Sequence, residues 1–191
     1  LFVNMNSHGI LNNQDSAYYT AIHKVKSLEG GTKGFFNEFN PTDNVGTEKS
    51  PTELYAYGIV KRDHFGLQFA KMLPEYNSDS RNAVSGASMG GFRSIMAAAF
   101  DSSIKKVDCA YTWMGSIGGR ANGKVAGGFM PAYTIGIQYF SIENAVATFG
   151  RDVTLNLSSC GLGDYTSPPA GLVAAYNAAT CKKAIMLRQY R

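Results

Sequence analysis

The stretch "NAVSGASMGGFRSIMAAAF", Asn82 to Phe100, changes character halfway along. "NAVSG" reads as a short strand, and "MGGFRSIMAAAF" reads as a helix with an apolar run. Between them Gly86-Ala87-Ser88-Met89-Gly90 sets one serine between glycines. A serine at a sharp strand-to-helix turn sits in strained backbone with its hydroxyl raised above the sheet. Glycines two before and two after are expected to let the chain segments pass without a Cβ clash. The alternative is a plain turn serine.

The rest of the chain repeats the alternation. "KKVDCAYTWM" (105–114), "VTLNLSSCG" (153–161) and "KKAIMLRQY" (182–190) read as strands, and "LFVNMN" (1–6) as a short buried strand. "DSAYYTAIHKVKSLEGG" (15–31), "LYAYGIVKRDHFGLQFAKMLPEY" (54–76) and "SPPAGLVAAYNAA" (167–179) read as helices, the first with Asp15 or Ser16 as its cap. "GFFNEF" (34–39) is a weak strand, and a glycine-rich excursion runs from Gly115 to Gly128. Alternating strands and helices imply an α/β fold: a mostly parallel sheet with helices on both faces, in one domain over residues 1–191.

Composition excludes several classes. With 45% hydrophobic and 17% charged residues the chain is not disordered. The net charge of +4 comes from scattered lysines and arginines, with no basic run interleaved with aromatics, which argues against nucleic acid as a partner. The longest apolar candidate, "VAGGFMPAYTIGIQYF" (125–140), is broken by glycines and Pro131, and nothing approaches the roughly 20 residues of a membrane span. Cys109, Cys160 and Cys181 have no metal-ligand spacing and read as buried or incidental thiols, with one disulfide left open. No metal or organic cofactor is expected.

If Ser88 is a nucleophile, it needs an oxyanion hole, an acid and a base. One oxyanion donor is expected from the N–H of Met89, the residue after the serine, and a second from the early loop "NSHGIL", where Gly9 permits close approach and Ile10 N–H is the candidate. His8-Gly9 can also be an ordinary turn. Asp164 lies beyond a strand and before a helix opening on Pro168-Pro169, where an acid following the nucleophile in chain order belongs. Asp108 and Asp152 are rival acids.

Asp164-x-x-x-Pro168-Pro169, followed after five residues by Ala175-Tyr176-Asn177, resembles the acetylxylan esterase / cephalosporin-C deacetylase family of α/β-hydrolases. "HGI" is similar to that family's His-Gly-Tyr loop, "SGASMGGFRSIMAAAF" to its Gly-Gly-Ser-Gln-Gly-Gly turn, and "KKAIMLRQY" to the strand leading to its histidine. The resemblance implies a serine esterase that deacetylates carbohydrate or other small esters, with Ser88 as nucleophile, Asp164 as acid, and Ile10 and Met89 amides as the oxyanion hole. It allows a homo-oligomer. Ile10 stands where a tyrosine is usual, and Ala87 and Met89 replace glycine and glutamine, which bears on substrate preference.

The base is the gap. His8 falls in the oxyanion loop, His23 in a helix and His64 in the helix before the elbow strand, and none follows Asp164. Laid on this chain, the family's histidine falls about two residues past Arg191. The chain is therefore expected to be a piece of a longer enzyme, without the early strands and the histidine-bearing segment, and to be nearly inactive alone. It opens on "LFVNMN" with no initiator methionine, which leaves the compartment open between cytoplasmic and secreted. Two rival readings stand: a prolyl-oligopeptidase-type or feruloyl-type serine hydrolase, and a catalytically degenerate hydrolase acting as a binding module.

Overall fold

The computed structural model describes residues 1–5, 13–21, 50–79, 82–117, 119 and 135–189. Its centre is a four-stranded sheet of β1 (Asn82–Ala87), β2 (Ile104–Ala110), β3 (Thr154–Gly161) and β4 (Lys182–Arg188), in that spatial order. All three pairings are parallel. The connections carry α1 (Tyr55–Lys71) before β1, α2 (Met89–Phe100) after it, α3 (Ile142–Ala147) before β3, and α4 (Pro169–Ala178) before β4.

The strands form because alternate residues supply one apolar face. Ile104, Val107 and Cys109 of β2 and Leu155 and Leu157 of β3 are fully buried. Against them α2 sets Phe92, Ile95 and Met96, spaced three and one apart so that they share one side of the helix. α2 lies on β1 and β2, α4 lies on β3 and β4, and α1, α2, α3 and α4 pack in succession as one layer. The opposite face presents Ser85, Asp108, Asn156 and Ala184 in register across the four strands, and no described helix packs there.

Proline sets the start of α4. Pro169 occupies the first turn, where its missing N–H costs nothing and its fixed φ suits the helix. Lys183 closes the other end, donating to the carbonyls of Tyr176 (2.6 Å) and Ala179 (2.8 Å). α1 and α2 are joined by a two-pronged ion pair, Arg93 Nε to Asp63 Oδ2 (2.6 Å) and Nη2 to Oδ1 (2.5 Å), with Asp63 buried. The same Nη2 donates to the Met5 carbonyl (3.0 Å), and Met5 packs over Gly66, where a Cβ would lie 2.5 Å from its sulfur.

Two expectations change. Residues 1–5 are not a buried strand: they join no ladder, and Phe2 is 90% exposed. β2 stops at Ala110 rather than Met114, because Tyr111 (φ 47°) and Met114 (φ 68°) turn into left-handed backbone. The last residues of the apolar candidate 125–140 form a 3₁₀ turn, Gly136–Phe140, and α3 follows it. Asp15 does cap a helical turn at 16–21, accepting from Tyr18 N–H at 2.8 Å. His8, Gly9, Ile10, His23, "GFFNEF" and most of the glycine-rich excursion lie outside the described residues, as does Arg191.

Candidate active site

Ser88 is the single residue between the end of β1 and the first residue of α2. Its backbone, φ 52° and ψ −118°, lies in a region that side-chain-bearing residues rarely adopt. Such a conformation persists only where neighbours fix it, and here they do. Ser88 N–H donates to the Ala110 carbonyl (2.9 Å), while its carbonyl accepts from Phe92 N–H (3.1 Å) and Trp113 N–H (3.2 Å). A serine at a helix start normally accepts from the first turn. This one makes no side-chain cap, and the residue is exposed. The strained turn therefore presents the hydroxyl instead of spending it on the helix.

The two glycines of the pattern are unequal. A Cβ on Gly86 would lie 2.4 Å from the carbonyl carbon and oxygen of Gly90, so the strand end and helix start pass too closely for any side chain. A Cβ on Gly90 would meet nothing within 4 Å, contrary to the symmetric expectation. Gly91 is tight instead: its Cβ would sit 2.7 Å from Thr112 Oγ1. Met89 opens α2, so its N–H is among the first-turn amides that no intrahelical carbonyl takes.

Asp164 follows β3 by three residues and is 4% exposed. Its Oδ1 accepts from the N–H groups of Thr166 (2.8 Å) and Ser167 (3.0 Å), and its own N–H donates to the Gly161 carbonyl (3.1 Å). The carboxylate is thus oriented by its own turn. Its charge is felt locally: burial first, and then Asp164, push the Cys160 thiol up from its ordinary value. Burial pushes Cys109 up to about 12. All three cysteines are buried and free.

Because every strand is parallel, Ser88 and Asp164 stand at the same, C-terminal edge of the sheet. The strands that lead to them, β1 and β3, are two strand spacings apart, about 10 Å, with β2 between them. The rival acids stand elsewhere. Asp152 is exposed and paired with Lys105 (2.5 Å) at the opposite edge. Asp108 lies in register with Ser85 on the open face, accepting from Asn156 Nδ2 (3.1 Å). His64 is exposed on α1, its ring edge-on to Phe65, and no described contact brings it to Ser88. A groove of about 640 Å³ beside β1, lined by Leu1, Phe2, Leu67, Tyr76, Ala83 and Ser85 among others, includes neither Ser88 nor Asp164. Among the described residues no cluster of three or more His, Cys, Asp or Glu could hold a metal ion, and no helix is long and apolar enough to cross a membrane.

The contribution of the residues after β2 has no sequence signal. Trp113, whose ring meets Phe92 edge-on at 5.6 Å, reads as strand in the sequence, yet its N–H holds the Ser88 carbonyl.

A strained serine turn and an oriented carboxylate at the C-terminal edge of a parallel sheet define the α/β-hydrolase fold class, and the comparisons with solved structures agree. An acetyl xylan esterase from Paenibacillus sp. R4 superposes with a TM-score of 0.63 over 74% of this chain and 48% of its own, at 22% identity. Acetyl xylan esterase 1 from Thermoanaerobacterium sp. JW/SL YS485 gives 0.58 over 76% and 53%, at 20% identity. An acylaminoacyl peptidase from Pyrococcus horikoshii gives 0.56 over 73% and 24%, at 14% identity. The chain has the fold these proteins share, and it spans about half the length of the two esterases. No family model matches the chain, and no curated protein matches it by sequence.

Proposed function

We propose that the protein is a serine carboxylesterase that removes acetyl groups from carbohydrate esters such as xylan or xylo-oligosaccharides. The observation that carries this reading is the Ser88 turn: a left-handed serine, exposed, not capping its helix, at the same sheet edge as Asp164. The sequence blocks around Asp164 and Ala175-Tyr176-Asn177, and the fold likeness to two acetyl xylan esterases, support acetyl esters as the substrate class.

In this reading Ser88 Oγ attacks the acetyl carbonyl, and its proton passes to an imidazole. That histidine is the one the family resemblance puts just after Arg191. Asp164 sets its tautomer and orientation, which suits a carboxylate already held by two backbone N–H groups. The amides of Met89 and Ile10 receive the oxyanion; losing one such donor costs about 10²–10³ in turnover. The imidazole returns its proton to the departing sugar hydroxyl, and water then releases acetate from the acetyl-serine. Acyl transfer of this kind needs no metal or organic cofactor.

The test is substrate choice by the full-length protein. Acetate should be released from acetylated xylo-oligosaccharides and p-nitrophenyl acetate, with no cleavage of acylaminoacyl peptides, and Ser88→Ala should abolish the release. Faster peptide cleavage would favour the peptidase alternative. Sugar binding without turnover of any ester would favour a binding module.

A further inference from the structure

Residues 111–116 leave β2 by a path that few side-chain-bearing sequences would follow. Tyr111, Met114 and Ser116 all have positive φ, at 47°, 68° and 57°. Three such residues in six hold their conformation only if the surroundings dictate it. The segment touches the Ser88 turn and the helix that follows the Asp164 turn. On one side the Trp113 N–H holds the Ser88 carbonyl at 3.2 Å, and the Ala110 carbonyl just before the segment holds the Ser88 N–H at 2.9 Å. Tyr111 N–H then ties the path to β3 through the Ser159 carbonyl at 2.8 Å. On the other side Gly115 lies backbone to backbone on Gly171 of α4, the helix that follows the Asp164 turn. A Cβ on Gly115 would be 2.8 Å from Gly171 Cα, and one on Gly171 would be 2.5 Å from the Gly115 carbonyl carbon.

The start of α3 grips the same segment twice. Ile142 N–H donates to the Met114 carbonyl at 3.2 Å. Glu143 accepts the Ser116 N–H with one carboxylate oxygen and the Ser141 hydroxyl, at 2.7 Å, with the other. We propose that residues 111–116 form a positioning strap that fixes the spacing between the Ser88 turn and the Asp164 turn, and that Glu143 is the positioning residue that locks it. This rests on the reading of Ser88 as nucleophile and Asp164 as acid. A carboxylate that orders backbone two steps removed from the reacting atoms acts on geometry, and a misplacement of about 1 Å can cost 10²-fold in rate.

The experiment compares Glu143→Ala with Glu143→Gln in the full-length protein, since glutamine keeps an oxygen to accept the Ser116 N–H. With p-nitrophenyl acetate, Glu143→Ala should lower kcat per titrated active site by about 10- to 100-fold with KM within about twofold, and Glu143→Gln should stay within about threefold of the parent. Amide exchange should quicken in Glu143→Ala at both 86–90 and 161–167, and not in Glu143→Gln. Equal kcat in the two variants, or exchange that quickens only within 111–117, overturns the proposal. If the parent protein turns over no acetyl ester, the esterase reading fails while the exchange result still decides the strap. If Glu143→Ala does not fold, Glu143→Asp, one methylene short, is read in the same way.

Discussion

The two turns at the C-terminal edge are built on opposite principles. The Ser88 turn is strained: a side-chain-bearing residue at φ 52° is held from outside by Ala110 and Trp113 and by its own helix through Phe92, and its hydroxyl is left unspent on the helix. The Asp164 turn is relaxed: a buried carboxylate accepts from the N–H groups of Thr166 and Ser167, the residues it turns around, and Leu162 N–H ties the turn to the Arg188 carbonyl of β4 at 2.8 Å. Under the proposed function Ser88 attacks, and a group that attacks has to be exposed and pre-aimed, with the surrounding fold bearing the cost of about 1–3 kcal/mol per such residue. A group that must only orient a partner can be buried and folded into its own loop. The two sites should therefore respond differently to substitution.

The largest contrast is in turnover. Ser88→Ala in the full-length protein should cut ester hydrolysis by about 10⁴-fold or more, measured with p-nitrophenyl acetate. Asp164→Asn should cost about 10²–10⁴-fold, no more than the serine change, because Oδ1 still accepts from Thr166 and Ser167 and the turn survives. Equal folding stability of Asp164→Asn and parent, within about 1 kcal/mol, would sharpen the contrast.

Stability separates the glycines. Gly86→Ala should destabilise by about 3 kcal/mol or more, because its Cβ has no room against Gly90. Gly90→Ala should fall within about 1 kcal/mol of the parent, since its Cβ enters open space at the start of a helix. Comparable losses of denaturation midpoint at both positions would contradict the close-approach account. Ser88→Gly should raise stability by about 1 kcal/mol while abolishing activity, since glycine removes the steric cost at that φ.

The sequence made much of this readable, and for a physical reason. Met89–Phe100, Pro169–Ala178 and Lys182–Arg188 form where apolar periodicity and turn residues coincide, so local and global preferences agree. The turns at Ser88 and Asp164 were legible because a glycine pair and a proline pair mark them. The strap was not: Tyr111, Met114 and Ser116 reach left-handed backbone although none of the three is a glycine, through hydrogen bonds from elements far away in sequence. Leu1–Met5 looks like a strand by composition, but a strand needs a partner's ladder, and these five residues are instead tethered through Arg93 to α1 and α2.

The smallest effect concerns Cys109, whose thiol is raised from 9.0 to about 12 by burial. It stays protonated in the folded protein while the unfolded chain begins to ionise. Its contribution to stability is therefore full below about pH 9 and is lost as pH rises toward 12. In native protein at pH 8 it should resist a thiol reagent such as Ellman's, and react once the chain is unfolded. Ready modification in the native state would mean that the core beneath the Ser88 turn opens easily.

The most direct measurement of the central claim is covalent labelling of the full-length protein with a fluorophosphonate, followed by peptide mass spectrometry. The account predicts stoichiometric modification of Ser88 in the peptide 82–93, lost in Ser88→Ala and slowed in Asp164→Asn. Labelling on another residue, or a full-length protein that does not react while other serine hydrolases in the same experiment do, would contradict it.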